Sequence, residues 1–162
     1  MTVFTIGYEG LDVTAFLSLL SKHGINTVVD IRELPLSRKR GFSKRSLAEL
    51  LREEGFGYIH MADLGCPRPV RNQYRADGSW KRYTEGFLVH LEGQTRAIEE
   101  LSDLVADRNC ALLCFEADHR FCHRSFVADA VHQHSGADVR HIQVTSAASR
   151  TAAPARARAV PA

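Results

Sequence analysis

The chain predicts an α/β fold, a mostly parallel sheet of about five strands with helices on both faces, and three observations carry that prediction. Short apolar runs alternate along the sequence with longer segments whose apolar residues recur at helical spacing, the element order that builds parallel sheets. Several of the short runs stop at a charged residue and a polar loop, as at Asp30, Arg32 and Glu116. At 162 residues and 44% hydrophobic content, the chain is long enough to bury a continuous core without disulfides or a metal. One domain over residues 1–145 is expected.

Residues 3–6 form the first strand, which ends at Gly7-Tyr8-Glu9-Gly10. Asp12 or Thr14 caps a helix that turns Phe16, Leu17, Leu19 and Leu20 inward and ends at Gly24. Residues 26–31 form a second strand around Val28 and Val29, and its end carries Asp30 and Arg32 into a loop containing Ser37. Ser43 opens a helix with Leu47, Leu50 and Leu51 at helical spacing, stopped by Gly55, and residues 58–61 follow as a short strand. Residues 63–79 are polar and rich in Pro and Gly, so a long loop is expected there. Residues 80–91 and 95–105 read as two helices forming a hairpin. Residues 111–116 are the next strand, 124–134 a helix carrying Phe126, Val127, Ala130 and Val131, and 139–144 the last strand. Residues 146–162 contain little but Ala, Arg, Ser, Thr, Val and Pro and are expected to be a disordered tail.

The formal charge of +2 hides an uneven distribution: residues 32–45 carry +5 and residues 68–82 carry +4. Positive charge held in two connecting regions suits docking a small anion or a short nucleic-acid segment better than coating a duplex. No apolar run reaches the roughly 20 residues that span a bilayer, and the N-terminus opens on an apolar strand, so a cytoplasmic location without membrane partners is expected. Cys66, Cys110, Cys114 and Cys122 form no close pair in sequence, and no disulfide framework is read from them.

In a parallel sheet all carboxyl ends lie along one edge, so Tyr8, Asp30, Arg32 and Glu116 are expected to line one crevice. Cys122-His123-Arg124-Ser125 falls at a helix start, where unpaired N–H groups attract anions and lower a thiol pKa. Arg124 and Arg32 are the expected anion-holding forks, with Tyr8, Ser37 and His123 beside them as binding groups. Glu116 is the expected acid or base, with Asp30 and Cys122 as further catalytic candidates. A metal site would need Cys114, Glu116, His119, Cys122 and His123 to converge, and Cys-x7-Cys with His-x2-Cys matches no usual zinc ligand set, so no metal site is predicted and the cofactor is left unknown. Tyr74 and Trp80, among basic residues, are candidate base-stacking groups.

With these pieces in view, the chain resembles the family called domain of unknown function 488. The resemblance rests on Thr5-Ile6-Gly7-Tyr8, on Val29-Asp30-Ile31-Arg32 with Pro35 and Ser37, and on Tyr58 with Leu64-Gly65. Its most distinctive part is Leu113-Cys114-Phe115-Glu116 with Cys122-His123-Arg124. It departs at Cys66-Pro67, where a glycine-rich turn is expected. The resemblance implies a compact α/β domain and no particular reaction.

The leading functional expectation is an enzyme acting on a phosphate-bearing substrate, a nucleotide or a nucleic-acid end. The alternative is a non-catalytic module for single-stranded nucleic acid, and the third reading is a thiol enzyme using Cys122.

Overall fold

The computed structural model describes residues 1–144, so the tail expected over residues 146–162 lies outside the described residues. Five strands form one all-parallel sheet: β1 (Thr2–Gly7), β2 (Thr27–Asp30), β3 (Gly57–His60), β4 (Cys110–Cys114) and β5 (Asp138–His141), in the order β3-β2-β4-β1-β5. Period-two alternation divides their side chains between two apolar layers. Val28, Ala111 and Leu113 join Phe16, Leu20, Leu47 and Leu51 of helices α1 (Val13–Lys22) and α2 (Lys44–Glu53) on one face. Val29, Leu112 and Cys110 join Phe87, Leu101, Val105 and Val131 on the other, from helices α4 (Trp80–Glu92), α5 (Thr95–Asp107) and α6 (Arg124–Ser135).

The caps follow from the sequence. The Asp12 carboxylate accepts from the Ala15 N–H at 2.8 Å and starts α1. Gly78 and Gly136 close their helices with φ of +64° and +76°.

Two expectations are corrected. The segment read as a long loop holds helix α3 (Arg68–Asp77). Its apolar signal is thin because its buried face carries Arg71, whose guanidinium bonds the Glu33 carboxylate at 2.9 Å and the Cys66 carbonyl. The helices of residues 80–92 and 95–107 do not pair as a hairpin; α4 lies against α3, and α5 against α6. Among the described residues, no helix is long and apolar enough to cross a membrane.

The topology fixes where a site can open. From β1 the chain leaves through α1, past β4, to β2; from β4 it leaves through α6, past β1, to β5. Those helices lie on opposite faces, so the adjacent ends of β1 and β4 part from each other, the arrangement that makes a crevice in parallel sheets. At the base of this seam a Cβ on Gly7 would lie 1.7 Å from the Glu116 carbonyl oxygen, so only glycine lets the two backbones meet. Gly7→Ala is therefore expected to cost about 1–3 kcal/mol by forcing the strand ends apart. An unchanged urea midpoint would refute this.

Candidate functional site

The expected crevice groups separate into two clusters on opposite sides of the sheet. On the α1–α2 side, Asp30 and Arg32 hold each other. The guanidinium donates to the two carboxylate oxygens at 2.8 and 2.7 Å, and Arg32 N–H donates to the same carboxylate at 3.1 Å. Tyr58 donates its hydroxyl hydrogen to Asp30 at 2.6 Å, and Arg32 donates to the Tyr8 hydroxyl at 3.2 Å. Tyr8 is stacked on Phe42, with ring centroids 4.5 Å apart. Asp30 and Arg32 are fully buried and Tyr8 nearly so. Burial disfavours the Arg32 cation, but Asp30 and Tyr8 more than compensate and hold its proton above the usual guanidinium range. Of the groups expected to bind or react, Arg32, Tyr8 and Asp30 have their polar atoms committed to one another out of solvent. Ser37 likewise serves its own turn, its Oγ accepting from the Lys39 N–H and its backbone N–H donating to Ser43 Oγ.

Arg124 is also fully buried. Its Nε donates to Thr5 Oγ1 at 3.1 Å, and its two terminal nitrogens donate to the carbonyls of Glu116 and, at 3.2 Å, Ala117. The expected phosphate fork is occupied by main-chain carbonyls here and holds the loop after β4. The Glu9 carboxylate accepts from the Ala117 N–H at 3.0 Å.

The second cluster lies on the α4–α6 side. Strand alternation turns Cys114 and Glu116 the same way, and the start of α6 brings Cys122 and His123 to them. Cys114 Sγ donates to Glu116 Oε2 at 3.3 Å and lies 3.6 Å from His123 Nδ1, while Cys122 Sγ lies 4.0 Å from the same nitrogen. His123 Nε2 is 2.8 Å from the Ile31 carbonyl oxygen, which only accepts, so Nε2 carries the hydrogen and Nδ1 the lone pair. The Cys114, Cys122 and His123 ligand atoms lie within 4.8 Å of one another. The intervening residues form a compact turn that folds Cys122 and His123 back onto the strand end, a proximity that the linear spacing does not show.

The electrostatics of this cluster are those of a shared proton. Burial raises the Cys114 thiol, and the neighbouring Cys122 sulfur adds to the effect. Burial also works against a Cys122 thiolate, but the neighbouring Cys114, His123 and Arg124 side chains outweigh it, so Cys122 is lowered well below an ordinary thiol. Burial and the Cys122 sulfur push the Glu116 carboxyl well above its ordinary range, although the residue keeps a partly exposed edge. Burial holds Cys66 and Cys110 at about 11, as inert thiols.

Beside the seam, an open cleft of about 500 Å³ is lined by Ala117, Asp118, His119, Arg120, Gln143 and Val144. His119 stacks on His141 with centroids 3.7 Å apart. Thr5 Oγ1, which accepts from Arg124, lies 2.7 Å from His141 Nδ1 and shares a hydrogen bond with it. Burial, helped by His119 and Arg124, lowers His141 to about 4. Because its folded pKa lies below the unfolded value of about 6.5, stability is expected to fall as pH drops from about 6.5 toward 4. His119, also lowered by burial and Arg124, acts in the same direction. Thermal unfolding of His141→Gln should show a shallower decline over this range, and an identical slope would refute the assignment.

The base-stacking candidates are occupied. Trp80 stacks on Tyr83 with centroids 4.6 Å apart, and Tyr74 meets both rings edge-on. Sequence reasoning leaves Cys114 and Tyr83 out of the catalytic and binding residues. For Cys114 the available signal was its two-residue spacing from Glu116 on a strand.

The family model described as Domain of unknown function DUF488 matches residues 12–131 of the chain. No curated protein and no solved structure matches it.

Proposed function

The chain belongs to the DUF488 family, whose description names no reaction, and from its own geometry we propose that it is an enzyme with Glu116 as the proton-transferring group. The reaction is a hydrolysis or group transfer on a small polar substrate admitted at the seam between the ends of β1 and β4. The observation that carries this reading is the position of Glu116: a partly exposed carboxyl at the base of the switch-point seam, hydrogen-bonded through Cys114 to a thiol–imidazole cluster. Phosphate esters stay within the substrate class, but Arg32 and Arg124 do not clamp them. The single-strand-binding alternative is weakened because Tyr74 and Trp80 spend their faces on neighbouring rings.

The test is a hydrolysis panel of nucleotides, phosphomonoesters, phosphodiesters, carboxylic esters and amidines on the full chain. In whichever assay turns over, Glu116→Gln is expected to lower kcat about 10²- to 10⁴-fold with KM little changed. Equal turnover by the variant would overturn the role of Glu116.

A further inference from the structure

His123 Nδ1 is a buried acceptor without a close donor. Its nearest neighbours are the Tyr83 hydroxyl at 3.5 Å and the sulfurs of Cys114 and Cys122 at 3.6 and 4.0 Å, all long for hydrogen bonds. The other ring nitrogen is fixed at 2.8 Å on the Ile31 carbonyl. A ring held this way presents its free lone pair in one direction, the outer-sphere device that orients metal-binding histidines. The three side chains are enclosed, with Cys114 and His123 fully buried and Cys122 1% exposed, and both cysteines are free.

We infer that Cys114 Sγ, Cys122 Sγ and His123 Nδ1 are the ligands of a zinc-like divalent ion, bound at the carboxyl end of β4. A tetrahedral ion about 2.3 Å from sulfur and about 2.0–2.1 Å from nitrogen sets sulfur–nitrogen edges near ~3.5 Å and a sulfur–sulfur edge near ~3.8 Å. The three atoms lie within 4.8 Å of one another, with sulfur–nitrogen distances of 3.6 and 4.0 Å; because Cys114 Sγ is also 4.0 Å from Nε2, ion binding requires the Cys114 side chain to rotate toward the Nδ1 lone pair. Two thiolates and an imidazole select a borderline-soft ion such as zinc over magnesium or calcium. The ligands come from a strand end and a helix start, so the backbone preorganises them.

Three protein ligands leave one tetrahedral position for water, the pattern of catalytic rather than structural zinc. For its chemistry this inference rests on the role of Glu116 proposed above; for ion binding it stands on geometry alone. Glu116 Oε2 lies 3.3 Å from Cys114 Sγ, within reach of a water held in that fourth position. It takes a proton from the water, the water oxygen bonds to the electrophilic carbon or phosphorus of the substrate as the bond from that atom to the leaving group breaks, and the proton passes from Glu116 to the leaving group. The net change is the addition of water, with nothing oxidised or reduced.

The full chain, reduced and stripped with a chelator, is titrated with Co²⁺ and then with Zn²⁺. One equivalent of Co²⁺ should give sulfur-to-cobalt charge-transfer absorption with intense tetrahedral visible bands, both abolished by one equivalent of Zn²⁺. Cys122→Ser should weaken Co²⁺ binding by more than the roughly 10–100-fold that loss of an outer-sphere partner costs. Cys66→Ser and Cys110→Ser should bind as the parent does. The absence of a charge-transfer band in the folded parent chain overturns the inference, and so does full binding by Cys122→Ser. Where Cys122→Ser fails to fold, the titration of the parent chain decides alone. Glu116→Gln separates the two readings: cobalt bands with unimpaired turnover sink the role of Glu116 and keep the ion, whereas lost turnover without cobalt bands does the reverse.

Discussion

Arg124→Ala is expected to destabilise the domain by about 3–5 kcal/mol, because it empties a buried site and strands two carbonyls at once. The guanidinium is enclosed, and its three bonds tie β1, through Thr5, to the main chain of Glu116 and Ala117. Hydrogen bonds from a charged donor are each worth about 1.5–3 kcal/mol, and both carbonyls lose one. Arg124→Lys should recover only part of the loss, since a single ammonium cannot span the three acceptors of a planar fork. Urea unfolding measures both, and a loss below about 1 kcal/mol for the alanine variant would contradict the assigned role. The sequence alone suggests the opposite, that Arg124 is a ligand fork whose removal leaves stability intact.

Asp30→Ala is expected to cost a similar amount, about 3–5 kcal/mol, for a different reason. Arg32 has no exposed surface, and removing its partner leaves a guanidinium charge buried with only the Tyr8 hydroxyl beside it. Tyr58→Phe, which removes one hydroxyl bond to the same carboxylate, should cost about 1 kcal/mol. The paired replacement Asp30→Leu with Arg32→Met should restore much of the stability, because a buried ion pair repays its desolvation only when both members are present. A double-mutant cycle followed by urea unfolding decides. A paired variant no more stable than Asp30→Ala would show that the pair adds more than mutual neutralisation.

The fold was legible because each strand but the last is an apolar run between turn residues, and each of five helices carries a continuous apolar stripe. The sixth escaped because α3 turns a buried arginine inward, and a guanidinium reads as surface in a sequence. The candidate site was half legible. Alternation along β2 correctly put Asp30 and Arg32 on one side and left open whether they bind a ligand or each other. What it could not supply was the partner across the sheet: Tyr8 and Tyr58 arrive from β1 and β3 and complete the enclosure. For Cys114, Cys122 and His123, linear spacing misled because the turn ending at His119–Phe121 folds the chain back on itself, and proximity in space then no longer tracks separation in sequence.

The Ile31 carbonyl belongs to both interiors. Its oxygen anchors the His123 ring on one side of the sheet, while its flanking residues are the two halves of the ion pair on the other. The tip of β2 is thus a shared fulcrum: whatever tilts it to relieve a broken Asp30–Arg32 pair also re-aims the imidazole. Impaired chemistry in a variant at Asp30 would consequently report a displaced histidine, and would not by itself mark Asp30 as a reacting group.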